Sequence, residues 1–346
     1  MAEPVPDLWP HVLSTLSAGR SLDRDEAAAV MRLVMAGEAT SGQVGGFLMA
    51  LRTKGESAEE IEGLADTMLE FAGRVDPPVP VVDTCGTGGD RSGTFNISTI
   101  AAIVVAGAGV PVAKHGNRAA SSRCGSADLL EALDVRIDLD RAGVERCLSE
   151  AGIAFLFAPV FHPAMGHAGP VRRELRVPTV FNFLGPLTNP ARPFAQVLGV
   201  SDPRMLPLLA QVLARRGTRA RLFRALDGLD ELSTTGPSTV FDVENGQVRE
   251  SELDPADLGL ERATIEDLRG GDPQASAQIA LAVLRGERGP RRDVVLLNAA
   301  AGLEVAGKAP SPEEGMAMAA ASIDSGAAAD TLVRWVTASG EVAGSR

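Results

Sequence analysis

The sequence predicts an α/β protein with a small all-helical domain and a larger α/β domain that has a mostly parallel central sheet and flanking helices. Three observations predict this class. Apolar residues recur at helical spacing up to about residue 73, with no strand pattern. A stiff proline-rich segment at residues 76–80 then indicates a domain boundary. Beyond it, strand and helix patterns alternate, which is typical of a parallel sheet.

The helical part has clear start and stop signals. Residues 21–26 combine capping side chains with acidic residues in a first helical turn, and Gly37 ends that helix. Apolar residues at helical spacing predict further helices over residues 41–54 and 57–71. We therefore predict a helical domain at residues 1–75 and an α/β domain at residues 76–346.

The α/β part shows its alternation along most of its length, although residues 163–190 are irregular and rich in proline. We predict strands at 79–83, 110–114, 153–158, 197–200 and 220–225, helices at 97–108, 127–133, 140–151, 204–216, 293–300 and 312–325, and a hairpin at 238–252. The loops 84–95 and 115–126 then follow strands, where parallel sheets bind their ligands.

Composition excludes several classes of function. The 346 residues include 45% hydrophobic residues, enough for a large core, and a net charge of −12 disfavours a nucleic-acid surface. Three cysteines without C-x-x-C spacing predict neither disulfides nor a structural zinc site, and they fit a cytoplasmic location. The longest apolar run, residues 100–113, is too short and interrupted to span a membrane, and we expect no signal peptide.

A glycine-rich segment after the first predicted strand is the strongest motif: Asp83-Thr84-Cys85-Gly86-Thr87-Gly88-Gly89-Asp90. Its backbone N–H groups are free of bulky side chains and can surround a phosphate or diphosphate. Polar residues from Asn96 to Thr99 then open a helix, whose N-terminus favours an anion. The segment matches neither common nucleotide-binding fingerprint, and a simple tight turn is the alternative interpretation.

A second polar loop, at residues 114–128, holds Lys114, Arg118 and several serines directly before a helix. Cations, hydroxyls and backbone N–H groups are what a phosphate requires, although one such loop alone is also typical of a solvated surface. Two such loops in the same α/β unit favour a shared phosphorylated ligand.

Two further segments carry candidate chemistry. The acidic turn at residues 227–233 places Asp230 next to Glu231, which suits Mg²⁺ with substrate phosphates but is also typical of a solvated turn. In the segment 162–190, His162 and Arg172 stand among Met, Phe and Pro residues and suit a small aromatic acid. A structural histidine and a surface ion pair are the alternatives there.

Taken together and in this order, these motifs resemble those of the anthranilate phosphoribosyltransferase family. The resemblance is carried by residues 83–90, 96–99, 114–128, 162–165, 171–174, 185–190 and 227–233. It implies transfer of phosphoribosyl from phosphoribosyl pyrophosphate (PRPP) to the amine of anthranilate, with Mg²⁺. It also implies a helical domain completed by helices from about 163–190, an α/β domain that binds the donor, and a homodimer formed through the helical domain.

The resemblance assigns a role to individual residues. The donor-binding set is Gly86, Gly89, Asp90, Thr94, Asn96, Ile97, Ser98, Thr99, Lys114, His115, Gly116, Asn117, Arg118, Ala119, Ala120, Ser121, Ser122 and Ser126. The acceptor-binding set is Gly86, His115, Asn117, His162 and Arg172, and the Mg²⁺ ligands are Ser98, Asp230 and Glu231. His115 is the candidate catalytic residue, either removing a proton after attack or only shaping the acceptor pocket.

Some positions depart from the family pattern, namely Gly166, Arg176, Cys124 and the pair Arg224-Ala225. Two other functions remain open. A nucleoside phosphorylase of related fold would need a glycine-rich phosphate loop but neither the Asp-Glu pair nor the second serine-rich loop. A nucleic-acid-binding protein of the same fold would be basic, which this chain is not.

Overall fold

The computed structural model describes residues 8–119 and 123–341, which form two compact units. One unit contains the described residues up to Gly73 and Phe161–Thr188; the other contains Arg74–Val160 and the described residues from Asn189 onward. The helices are α1 (Leu8–Ser17), α2 (Arg24–Ala36), α3 (Ser41–Lys54), α4 (Ala58–Glu70), α5 (Ile97–Gly107), α6 (Ser126–Ala132), α7 (Arg141–Ala151), α8 (Ala158–Phe161), α9 (Gly169–Leu175), α10 (Phe181–Leu184), α11 (Met205–Arg215), α12 (Pro273–Leu284), α13 (Pro290–Val305), α14 (Pro312–Asp324) and α15 (Ala327–Glu341). The strands are β1 (Val82–Gly86), β2 (Val112–Gly116), β3 (Ile153–Phe157), β4 (Ala195–Gly199), β5 (Arg219–Ala225), β6 (Ser238–Glu244) and β7 (Gln247–Leu253).

The helical unit owes its helix boundaries to local side-chain bonds. Capping boxes start α2, α3 and α4, with the pairs Asp23 and Glu26, Thr40 and Gln43, and Ser57 and Glu60. Gly37 ends α2 in the left-handed region, at φ 75°. The predicted helices of this part are confirmed.

The proline-rich segment that the sequence left irregular folds into short helical pieces. They are α9, α10 and two 3₁₀ turns, Pro163–Gly166 and Gly185–Thr188. Arg176 ends α9 with a φ of 52°, a conformation that favours glycine.

The α/β unit is built on one seven-stranded sheet of order β3-β2-β1-β4-β5-β6-β7. The first five strands pair in parallel, whereas β6 and β7 form an antiparallel hairpin at one edge. Helices flank the sheet, and α5 is buried along nearly its whole length between the sheet and α13. The predicted fold class is confirmed.

Two strands begin later than the sequence predicts. Strand β1 runs from Val82 to Gly86 rather than over 79–83, and β2 runs from Val112 to Gly116 rather than over 110–114. Helices α12 and α15 were not predicted individually. None of the described helices is both long and apolar enough to cross a membrane.

Candidate functional site

The candidate site lies where the strand order of the sheet reverses. Strands β1 and β4 are neighbours in the sheet, and successive strands run outward from them in opposite directions. Ligands of parallel α/β sheets bind at the carboxyl ends of the strands at this point. Here the two strands end side by side, with Gly86 paired in register with Gly199, and the glycine-rich loop follows directly.

The glycine-rich loop depends on its glycines for its conformation. Gly88 and Gly89 have φ angles of 67° and 84°, in the left-handed region. Asp90 accepts a hydrogen bond of 2.6 Å from the Ser92 hydroxyl, and that hydroxyl lies 3.2 Å from the hydroxyl of Thr94. The predicted donor residues Gly89, Asp90 and Thr94 thus belong to one locally bonded turn.

The acidic pair reaches this loop from another part of the chain. The Gly88 N–H donates to Asp230 Oδ2 at 2.6 Å, and the Ser98 N–H donates to Glu231 Oε1 at 3.1 Å. A Cβ at Gly86 would lie 2.4 Å from Asp230 Oδ2, so only glycine leaves room for the carboxylate there. The structure therefore brings the predicted metal ligands Ser98, Asp230 and Glu231 together.

The two carboxylates share a strongly negative environment. Burial, followed by the negative charge of Asp90, raises the pKa of Asp230 to about 6. Burial and the adjacent Asp230 raise the pKa of Glu231 to about 8, although Lys114 opposes that shift. Both shifts show that the ionised pair is poorly compensated by the protein, and an all-oxygen donor set of this kind fits a hard divalent cation. No three His, Cys, Asp or Glu side chains converge as a metal site among the described residues.

The start of α5 differs from the prediction that polar side chains cap it. Asn96 precedes the helix but makes no side-chain cap; its Nδ2 donates to the Cys124 carbonyl at 3.1 Å. Ile97 and Thr99 are buried, which leaves Ser98 as the partly exposed residue of this first turn.

The end of strand β2 supplies the next group of predicted residues. Lys114 is buried and donates to the Thr84 carbonyl and, at 3.4 Å, to the Ser98 hydroxyl, so its charge lies beside the acidic pair. His115 is buried as well, and its backbone N–H donates to Asp83 at 3.3 Å. A Cβ at Gly116 would lie 2.6 Å from the Ser126 hydroxyl, which shows how close the next loop passes.

That next loop is held mainly by its own residues. The Ser126 hydroxyl donates to the Asn117 carbonyl at 3.1 Å, and the Ala119 N–H donates to Asp128 at 3.1 Å. The guanidinium of Arg118, a residue of the predicted donor-binding set, pairs with Asp128 at 3.0 Å and Glu131 at 2.9 Å. The other predicted donor residues of this loop, Ala120, Ser121 and Ser122, lie outside the described residues.

Two predicted acceptor residues belong to the helical unit. Burial lowers the pKa of His162 to about 4, with partial opposition from a hydrogen bond to the Thr188 backbone. Burial also lowers the pKa of Arg172, whose guanidinium lies 5.2 Å from the ring centre of Phe181. Among the described residues no carboxylate pairs with Arg172.

Sequence reasoning missed a buried polar network beneath the site. Asp83 accepts from Asn189 Nδ2 at 2.9 Å, and the same amide donates to the Ala113 carbonyl at 2.8 Å. Burial raises the pKa of Asp83 to about 6. An acidic residue inside an apolar strand was the signal that could have identified this network, because a buried carboxylate requires partners.

Known proteins share the sequence pattern and the fold of this chain. The glycosyl transferase family α/β domain matches residues 78–329, and the helical bundle domain of the same family matches residues 10–72. The anthranilate phosphoribosyltransferase of Acidothermus cellulolyticus is 57% identical, over 96% of this chain and 95% of its own. That of an Arthrobacter species is 53% identical, over 97% of both chains.

Solved structures extend the likeness to three dimensions. Anthranilate phosphoribosyltransferase from Thermus thermophilus superposes with a TM-score of 0.90 at 46% identity, covering 95% of this chain and 99% of its own. The enzyme from Saccharomyces cerevisiae in complex with PRPP and Mg also has a TM-score of 0.90, at 29% identity, covering 97% of this chain and 99% of its own.

Proposed function

The chain belongs to the family of anthranilate phosphoribosyltransferases, and we propose that it transfers phosphoribosyl from PRPP to the amine of anthranilate. The products are N-(5-phosphoribosyl)anthranilate and pyrophosphate, and the reaction is a step of L-tryptophan biosynthesis. One observation carries the proposal: a glycine-rich loop at the reversal of the strand order meets the Asp230–Glu231 pair through a bond of 2.6 Å. A diphosphate donor needs both a glycine-rich loop of this kind and a cation beside it.

The donor would lie on the loop after β1 and on the start of α5. Gly86, Gly89, Asp90 and Thr94 would surround the phosphoribosyl group, and residues 96–99 would contact it at the helix start. Support comes from the two left-handed glycines, which leave the backbone of the loop open, and from the buried charge of Lys114 nearby. Residues 118–122 would close the diphosphate side, and Ser126 would add another contact to the donor.

Ser98, Asp230 and Glu231 would hold Mg²⁺, which the raised pKa values of the two carboxylates support. When bound, Mg²⁺ neutralises charge that develops on a pyrophosphate leaving group. Lys114, which donates to the Ser98 hydroxyl, would add positive charge beside the acidic pair.

The acceptor would take its contacts from Gly86, His115, Asn117, His162 and Arg172. The Arg172 guanidinium suits the anthranilate carboxylate, because it carries a charge that no described carboxylate balances. An aromatic amine is neutral near pH 7 and needs no strong base before attack, so positioning and leaving-group stabilisation would dominate the rate. His115 would either accept a proton after attack or shape the pocket.

The remaining features of the proposal concern the molecule as a whole. The helical unit and the α/β unit would be the two functional domains, with a homodimer formed through the helical one. The enzyme would be cytoplasmic, and its net charge of −12 disfavours nucleic acid as a partner.

The test is the loss of anthranilate fluorescence over time with purified protein, PRPP and Mg²⁺. We expect the loss to require both substrates and to stop with EDTA. Glu231→Gln should lose most of this activity, whereas Glu250→Gln, the same change at an exposed residue of β7, should match the wild type. Phosphorolysis of a nucleoside without any loss of anthranilate would overturn the proposal in favour of a nucleoside phosphorylase.

A further inference from the structure

Arg224 lies one residue before the end of β5, at the edge of the candidate site. Its Nε donates to the Ser201 carbonyl at 2.9 Å, and its Nη1 donates to the Ala225 carbonyl at 3.3 Å. No carboxylate pairs with it among the residues that the structure describes. The other arginines of this strand do have acidic partners: Arg221 pairs with Asp242 at 2.7 Å, and Arg219 pairs with a glutamate at 3.4 Å.

Ser201, whose carbonyl accepts the bond from Arg224, is itself bonded to the glycine-rich loop. The Ser201 N–H donates to Thr87 Oγ1 at 3.0 Å, and the Ser201 hydroxyl donates to the Gly88 carbonyl at 2.7 Å. The first turn of this loop is also held by the Thr87 N–H, which donates to the Gly199 carbonyl at 2.9 Å, and by the Asp230 carboxylate. Ser201 therefore supplies two of the bonds that hold this turn.

The other end of Arg224 touches the turn that carries the acidic pair. The Ala225 N–H donates to the Leu229 carbonyl at 3.1 Å, one residue before Asp230. Nη2 of Arg224 lies 3.6 Å from the position of a Cβ on Gly228, so the guanidinium packs against this turn. Because Asp230 in turn accepts from the Gly88 N–H, the contacts form a closed ring.

We propose that Arg224 is a positioning residue for the donor site. It holds Ser201 and the turn at 225–229 together, and thereby fixes the Gly88 backbone relative to the Asp230 carboxylate before PRPP binds. This inference rests on the proposed function for its ligand. The contact itself is a charge-assisted bond to a carbonyl, which is stronger than a neutral bond.

The experiment compares Arg224→Ala, Arg224→Lys and the control Arg219→Ala, which changes an arginine of the same strand. For Arg224→Ala we expect the KM for PRPP to rise about 10-fold, with a smaller change in kcat. Arg224→Lys keeps one cationic donor and should recover part of the loss. A double-mutant cycle with Ser201→Ala should give effects on this KM that are less than additive.

Amide hydrogen exchange of residues 84–94 gives a readout without any ligand. Faster exchange there in Arg224→Ala, and not in Arg219→Ala, is the expected result. Unchanged exchange, or a lower melting temperature with a normal KM for PRPP, would overturn the positioning role. A wild-type protein that does not consume anthranilate would instead count against the proposed function, while the exchange result would still decide the role of Arg224.

Discussion

Gly86→Ala should damage the donor site although it adds only one methyl group. The φ of Gly86 is not in the left-handed region, so an alanine backbone is tolerated. The new Cβ would lie 2.4 Å from Asp230 Oδ2, whereas ordinary contacts begin at 3.4 Å. The carboxylate must therefore retreat by about 1 Å (3.4 − 2.4), which would break its 2.6 Å bond from the Gly88 N–H.

The size of the effect follows from this displacement. Losing a hydrogen bond to a charged group costs about 2 kcal/mol, and a misplacement of about 1 Å in a site can reduce the rate about 100-fold. We expect kcat/KM for PRPP to fall by roughly that factor, with a higher Mg²⁺ concentration needed for half-maximal rate.

The assay is the steady-state loss of anthranilate fluorescence at several Mg²⁺ concentrations, together with thermal melting. Gly236→Ala is the matched control, because it makes the same change in the same unit where nothing lies within 4 Å of the new methyl group. If Gly86→Ala keeps the kcat/KM of the wild type, the position of the Asp230 carboxylate does not limit catalysis and the reasoning fails.

Three further predictions concern stability. Because the folded pKa of His162 is about 4 and the unfolded pKa is about 6.5, the unfolded chain binds more protons between these values. The free energy of unfolding should thus fall as pH drops from 6.5 to 4, by up to about 1.4 kcal/mol per pH unit. Urea unfolding at several pH values should show that this free energy depends less on pH in His162→Gln, but not in the exposed control His11→Gln. In thermal melting, Arg176→Gly should raise the stability by about 0.5 kcal/mol, because glycine relieves the positive φ at the end of α9. Arg173→Gly, inside α9, should lower the stability in the same assay. Asn189→Ala removes bonds to a buried carboxylate and to a strand carbonyl, and chemical unfolding should show a loss of about 3 kcal/mol; a loss below a tenth of that would mean that water replaces the amide.

Local patterns predicted the helices well and the strand ends poorly. Capping residues and apolar spacing are properties of a few neighbouring residues, which is why the start of α2 at Arg24 was predicted within the segment 21–26. The sequence predicts Gly86 in a loop because it stands in a run of glycines whose backbone can surround a phosphate. In the sheet it pairs with Gly199, more than a hundred residues away, and that pairing is invisible to a local pattern.

The candidate site shows the same division between local and distant information. The motifs identified Ser98, Asp230 and Glu231, since each stands in a distinctive run of residues. No motif indicated Ser201, and Arg224 stood out only as a departure from the family pattern, because the bonds that link them to the site reach partners distant in sequence.

The structure also changes how the acidic pair should be tested. The sequence assigned the N–H groups of the glycine-rich loop and of the α5 start to a phosphate, yet the Gly88 and Ser98 N–H groups donate to Asp230 and Glu231. The two carboxylates therefore fix the loop and the helix start, in addition to the metal binding proposed for them. Loss of activity in a variant of either carboxylate therefore reports on both roles. Glu231→Gln removes the charge but keeps an oxygen acceptor for the Ser98 N–H. In this variant, a shift in the Mg²⁺ dependence of PRPP binding with unchanged hydrogen exchange in residues 84–99 would assign metal binding, whereas faster exchange would assign loop positioning.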